Sequence, residues 1–211
     1  MKKLVLLITA CILLISCNNT VKEDAKEESA VNQSEINTNA STAKQYFAIK
    51  SAYVKYRNNA VGQEMIREWW FDQYGNQQYE VTTMNIMGNE IANYSLIVDG
   101  YKYSWDADAT TGRKMKFYQS VTDYDKITEK DIENYGIKKH GYEEILGKKC
   151  LKVSTEKPAK STTWMWNNIP LKTEVAFGKS AVLMEAIEIS TDNVDSKRFE
   201  LPSNITFTEV E

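Results

Sequence analysis

The chain has 211 residues, 26 of them basic and 29 acidic, for a formal net charge of -3, and 42% of it is apolar. That length holds one domain with a sizeable core, and the acidic balance argues against a nucleic-acid partner, because neutralising phosphates needs a basic surface. Twelve Tyr, five Trp and six Phe against nine Gly and three Pro favour long strands over irregular chain.

Lys2 and Lys3 precede an apolar run from Leu4 to Ile15, and Leu14-Ile15-Ser16 leads into Cys17. A basic start, about a dozen apolar residues and a small residue before the cut describe a secretory signal too short for a membrane span. Leu14-Ile15-Ser16-Cys17 resembles the lipobox of bacterial lipoproteins. That resemblance implies cleavage before Cys17, so that residues 1–16 leave, and a diacylglyceryl group on its sulfur. The alternative is an uncleaved anchor with an incidental Cys17. Several acyl chains on one residue anchor a protein stably, at about 0.8 kcal/mol per buried methylene. The mature protein is therefore expected in the cell envelope, held to membrane lipid through acylated Cys17. Losing Lys2 and Lys3 leaves 24 basic residues against 29 acidic, a net charge of -5. Cys11 leaves with the signal and Cys17 carries lipid, so Cys150 stands alone and no intramolecular disulfide can form. An exported domain of that kind must rest on its core.

Residues 17–44 follow as a tether. From Asn18 to Lys44 there is no aromatic residue, Gly or Pro, and the larger aliphatics are Val21, Val31 and Ile36. Such a stretch cannot bury enough apolar surface to offset the entropy of ordering it. A coil of that length spans roughly 30 Å. Lys22-Glu23-Asp24 resembles a signal that sends some lipoproteins to the cell surface; it reads equally as solubility in a polar tether.

From Tyr46 the pattern has period two. Met65, Arg67, Trp69 and Phe71 fall on one face of a strand, and Glu64, Ile66, Glu68, Trp70 and Asp72 on the other. After a turn at Tyr74-Gly75-Asn76, strands are predicted over Gln77 to Met87, Ile91 to Val98, Tyr101 to Trp105 and Lys114 to Tyr118, with Asp99-Gly100 as a hairpin signal. Thr128 caps a short helix over Glu129 to Tyr135, with Asp131 three residues on, Ile127 and Ile132 as a staple, and Gly136 as its stop. A helix that short is expected to lie on the sheet. Strands resume over Ile137 to Ile145, Lys148 to Thr155, Ser161 to Asn167, Leu171 to Phe177 and Ala181 to Ser190, joined at Leu146-Gly147, Pro158, Asn167-Asn168 and Gly178-Lys179. Connections this short imply an antiparallel meander. About ten strands of this kind curl or close.

Catalytic chemistry finds little support. His140 is the single histidine, and Cys150 has no Cys-x-x-Cys partner, whereas zinc sites want several such ligands at defined spacing. Glu143-Glu144 and Asp123/Asp125 read as solvated strand ends and turns. There is no Gly-x-Ser-x-Gly elbow and no glycine-rich phosphate loop. Cys150 reads as a packing residue, since a reactive thiolate needs an acidifying neighbour. The expectation is no enzyme, metal or cofactor, although an exported hydrolase stays open. The aromatic residues remain. Trp164 and Trp166 share one strand face, and Trp69 sits with Met65, Arg67 and Phe71. Arg67 is awkward on an apolar face, because a buried guanidinium needs partners. Either a carboxylate pairs with it, or it meets a lipid headgroup or ester oxygen.

Three segments carry a wider resemblance: Gly141-Tyr142-Glu143-Glu144-Ile145-Leu146-Gly147-Lys148-Lys149-Cys150, Trp164-Met165-Trp166-Asn167-Asn168-Ile169-Pro170-Leu171-Lys172 and Phe199-Glu200-Leu201-Pro202. With the lipidated start and the long meander, they resemble LolA/LolB-like proteins, closest to the exported members without an assigned role. The resemblance covers about Tyr46 to Glu211. It implies a mainly β domain over residues 45–211: a strongly curved antiparallel sheet, an open half-barrel, with one short covering helix. In the carrier members the concave face holds lipoprotein acyl chains, and LolB-like members are lipid-anchored, which implies the outer membrane here. Arg67 resembles the concave-face arginine of the carriers in kind and rough place. The expected function is binding of a lipid or other apolar ligand, lipoprotein acyl chains included, in a trough lined by Met65, Trp69, Phe71, Trp164 and Trp166, with Arg67 on the polar headgroup. Burial would supply the affinity, at about 25 cal/mol per apolar Å². The rival is a surface-exposed protein-interaction or scaffold module. The sequence leaves the oligomeric state, the ligand and the membrane face open.

Overall fold

A computed structural model describes residues 44–60, 62–119, 123–124, 126–178 and 180–210. The signal peptide, the proposed lipid site Cys17, the tether up to residue 43, Lys22-Glu23-Asp24 and Asp125 lie outside the described residues. From Lys44 onward these form one compact unit.

Twelve strands make a single sheet: β1 (Ala52–Ala60), β2 (Gln63–Asp72), β3 (Gln77–Ile86), β4 (Asn89–Val98), β5 (Tyr101–Asp106), β6 (Thr111–Lys116), β7 (Lys138–Ile145), β8 (Lys148–Thr155), β9 (Ser161–Trp166), β10 (Ile169–Phe177), β11 (Ser180–Ser190) and β12 (Thr206–Glu209). Their order is β12-β6-β5-β4-β3-β2-β1-β11-β10-β9-β8-β7. One meander runs from β1 out to β6, a second returns from β7 to β11, and the β1–β11 pair joins them. The ends, β7 and β12, do not meet, so the sheet stays open. All pairings are antiparallel except β12 with β6, and the long chain between those two supplies the crossover that parallel neighbours need.

Four hairpins turn on two residues with positive φ: Met87-Gly88, Asp99-Gly100, Leu146-Gly147 and Asn167-Asn168. That geometry matches the right-handed twist of the flanking strands. The sheet also curls. Tyr46 N–H donates to Tyr74 O and Ala48 N–H to Asn167 O, although those carbonyls belong to the β2–β3 and β9–β10 turns. In a flat sheet the turns would lie four strand spacings apart, about 19 Å. Two residues of backbone reach only about 7 Å, so the sheet bends to bring the turns together. Phe47 then packs inside the curl against Trp69 and Phe71, with ring centroids at 5.2 and 4.6 Å. Gly75 makes room for it: a Cβ there would sit 2.4 Å from the Phe47 ring, at φ +91.

Most of the expected architecture is present: a mainly β, antiparallel, open half-barrel with one short helix. The sheet has two strands more than the ten expected. β1 buries Val54 and Tyr56 on one side while Arg57 stays exposed on the other. β12 owes its place to parallel pairing, which a meander rule does not anticipate. β6 is also earlier than predicted, Thr111–Lys116, because Tyr101 to Ser104 pair with Lys116 to Arg113 while Tyr118 is left exposed. The helix α1 covers Glu129–Tyr135 with the predicted capping box between Thr128 and Asp131 and a left-handed Gly136. None of its residues is buried. Its C-terminal end is fastened instead, with Tyr135 O accepting from Glu156 and Lys157 N–H in the β8–β9 turn.

Candidate ligand-binding site

Strand alternation puts Met65, Arg67, Trp69 and Phe71 on one face of β2, and the register sets Asn58, Tyr56, Val54 and Ala52 beside them on β1. On β3 the same face carries Thr82, Glu80 and Gln78. Phe71 and Tyr56 are wholly buried, and Met65 and Trp69 nearly so. Trp69 and Phe71 share a hydrophobic cluster with Trp164 on β9, against which Trp166 packs. Five of the six residues named for ligand contact thus come together or lie close as packed interior, and their side chains occupy the curl of the sheet.

Arg67 is the exception in chemistry. Its Nη2 lies 2.6 Å from Glu80 Oε2, its Nη1 is 3.8 Å from Met184 Sδ, and the guanidinium sits 5.3 and 5.4 Å from the Tyr56 and Trp69 ring centroids. Burial works against its charge, but Glu80 and Tyr56 together hold its pKa above the ordinary value. The carboxylate partner left open by the sequence is therefore Glu80, diagonally across the β2–β3 pair.

That pairing leaves some hydrogen-bonding capacity unmet. Among the described residues, the buried Tyr56 Oη, Asn58 Oδ1 and Arg67 Nε have no hydrogen-bond partner. Burying a hydroxyl or N–H without one costs about 1–3 kcal/mol. Burial also raises the Tyr56 pKa, so the phenol stays protonated. A cleft of about 160 Å³ opens beside Arg67, lined by Arg67, Trp69, Gln78, Glu80, Ser95, Ile97, Lys102 and Phe117. Its wall is fixed: Trp69 Nε1 donates to Gln78 Oε1, whose amide in turn donates to Gly75 O and Gln119 Oε1. Sequence reasoning missed Tyr56, Asn58 and the β3–β5 lining. Alternation in Ala52–Ala60 was the signal for the first two; the rest needed the register.

Trp164 stands in a different setting. Its indole N–H donates to Glu143 Oε2 at 2.6 Å, and the Lys152 and Lys172 ammonium groups lie 4.9 and 4.7 Å from its ring. Lys148 stands 5.0 Å from the Trp166 ring. Hydrogen bonds from Lys152 and Trp164 hold the Glu143 carboxyl below the usual range. Cys150 is buried, its thiol pushed up by that burial, which agrees with a packing role. His140 Nε2 meets Ser154 Oγ at 2.7 Å, and among the described residues no three metal-binding side chains gather.

No family model matches this sequence, and no curated protein matches it. Solved structures do resemble the fold. An uncharacterized conserved protein from Thermus thermophilus superposes with a TM-score of 0.54 at 8% identity, over 78% of this chain and 93% of that one. The MucA/MucB complex of Pseudomonas aeruginosa gives 0.50 at 10% identity, over 76% of this chain and 58% of that one. A Vibrio parahaemolyticus structure described as a putative outer membrane lipoprotein-sorting protein domain matches at 0.32 and 11% identity, over 71% and 89%, too loosely to carry an argument. The likeness is one of fold alone, and the fold of this chain is an open, mainly antiparallel half-barrel.

Proposed function

We propose that this protein is exported, anchored through acylated Cys17 on the outer membrane, and binds the junction between headgroup and acyl chain of a lipid in the Arg67 cleft. The observation that supports this most is Arg67, which lines the cleft with its Nε buried and unpartnered, while the equally unpartnered Tyr56 Oη and Asn58 Oδ1 belong to the neighbouring positions of β1. Arg67 is already balanced by Glu80, and Lys102 on the cleft wall suits a headgroup oxygen. A neutral ester carbonyl suits the Arg67 N–H donor. About 160 Å³ holds roughly five water-sized groups. The junction fits, and the chain would run on past Ile97 and Phe117 or displace side chains of the packed interior. Met65, Trp69, Phe71, Trp164 and Trp166 would then serve as its apolar surroundings.

The test is uptake of a fluorescent monoacylglycerol by the chain carrying Cys17→Ser, which removes the acyl anchor. Saturable uptake, displaced by unlabelled monoolein and weakened roughly tenfold in Arg67→Leu, as loss of one buried hydrogen bond predicts, is the expected result. Uptake that is absent, or indifferent to Arg67→Leu, contradicts the reading.

A second reading has its own support. The interior is filled by the chain's own side chains, with Tyr56, Phe71, Ile169 and Leu171 wholly buried, and the Pseudomonas structure is of a protein complex. A surface-exposed interaction module would need no cavity. Protection of the protein from protease added to intact cells would count against that role.

A further inference from the structure

The second face of the sheet has a chemistry of its own. On β2, Trp70 points away from the Arg67 side, and the register continues that face through Tyr79 on β3, Tyr94 on β4 and Trp105 on β5. Tyr94 and Trp105 are stacked, 5.6 Å apart with planes at 11°. Tyr79 stands 6.4 Å from Trp105, and Phe207 of β12 meets Trp105 edge-on at 5.7 Å. The result is a half-buried aromatic floor of rings tilted against one another, Tyr79 lying at 39° to both Trp70 and Trp105.

The chain after β11 crosses this floor. A 3₁₀ turn, Ser196–Phe199, is capped by the Asp195 side chain and pinned by the buried Phe199. Arg198 lies over Trp70 at 4.1 Å and near Tyr79 at 5.8 Å. Between this segment and the floor lies a cleft of about 330 Å³, lined by Tyr79, Trp105, Asp195, Lys197, Arg198, Glu200 and Pro202. It is twice the size of the Arg67 cleft and was not foreseen from sequence. Among the described residues, the side chains of Lys197, Arg198 and Glu200 enter no ion pair or hydrogen bond, although they stand at the rim of a cleft.

We propose that this cleft binds a neutral sugar ring. Two carboxylates, Asp195 and Glu200, line the cleft together with two cations, Lys197 and Arg198, so neither an anion nor a cation finds a net counter-charge. Two aromatic rings, Tyr79 and Trp105, under a rim of both donors and acceptors suit a ligand with one apolar face and polar edges. A pyranose has that form, its axial C–H bonds lying on the ring face and its hydroxyls pointing outward as both donors and acceptors. Charged partners make stronger hydrogen bonds to such hydroxyls than neutral ones, and the aromatic floor supplies the apolar contact. A volume of about 330 Å³ takes roughly ten water-sized groups, the size of one hexose. The site is independent of the lipid reading, because it lies on the other face of β2 and shares no lining residue with the Arg67 cleft.

The experiment titrates the intact chain, solubilised in a detergent without a sugar headgroup, with chitotetraose, cellotetraose and maltotetraose. Tryptophan fluorescence and saturation-transfer NMR give the readouts. Saturable binding of at least one of them is expected, weakened roughly tenfold in Lys197→Gln/Glu200→Gln, where two charge-assisted hydrogen bonds are lost, and again in Trp105→Leu. The double variant changes only exposed side chains, so folding is not at issue in it. No saturable response to any of the three sugars overturns the proposal. So does binding that is unchanged in the double variant, or a response confined to vesicles containing anionic phospholipid.

Discussion

Deleting the Tyr56 hydroxyl separates a binding role from a structural one. Tyr56 is wholly buried and its Oη has no partner among the described residues, so in the ligand-free fold that hydroxyl costs stability. Tyr56→Phe keeps the ring beneath the Arg67 guanidinium and removes the cost. The unfolding free energy should therefore be unchanged or higher by about 1 kcal/mol, measured by urea denaturation, while monoacylglycerol uptake falls. A loss of stability in this variant would mean that the hydroxyl is satisfied in the free protein and is not held for a ligand. Arg67 was visible in the sequence as a guanidinium on an apolar strand face. Its partner was not, because Glu80 comes from a neighbouring strand and a diagonal register position that no local pattern encodes. The orphan atoms are legible only after both strands are placed.

At the scale of elements, local chemistry carried well. The α1 capping box and its Gly136 stop, and the Asp99-Gly100, Leu146-Gly147 and Asn167-Asn168 turns, depend on a few adjacent residues and stand where they were expected. What failed to show depends on distant partners. β12 is four residues long and exists as a strand through parallel pairing with β6, and the start of β6 at Thr111 is paired in turn with Thr206 of β12. The outer strands make a separate prediction. Glu143 on β7 links Lys152 of β8 to Trp164 of β9, and these bonds lower its pKa in the folded state. A depressed carboxylate stabilises the fold above the unfolded-state pKa, and that contribution is lost as pH falls through the folded value. The Trp164 indole N–H resonance should thus hold constant at neutral pH and move only as pH drops below the ordinary carboxylate range. A shift centred above that, or none down to acid unfolding, would show that the Glu143 bond does not form in solution.

Taken as a whole, the described residues form an open sheet with a cleft on each face. Strand alternation pointed to the fold class and the apolar face of β2, and the LolA/LolB-like motifs pointed to a half-barrel. How much of the interior is cavity was not legible, since an inward Trp or Phe can line a trough or fill it with the same sequence pattern. Here the aromatic residues pack on one another, and the space that remains is small and polar at its rim. The second cleft was hidden for a similar reason: its roof, the Ser196–Phe199 turn, reads as an ordinary polar loop until the sheet beneath it is assembled.

Whether the Arg67 face takes a lipid is decided by native mass spectrometry of the Cys17→Ser chain, expressed through the export route and followed by lipid extraction. A discrete added mass is expected, resolving on extraction into one class of neutral acyl ester and depleted in Arg67→Leu. A clean apo mass, with no added species after incubation with monoolein, would refute lipid binding there and leave the half-barrel as a platform for a protein partner.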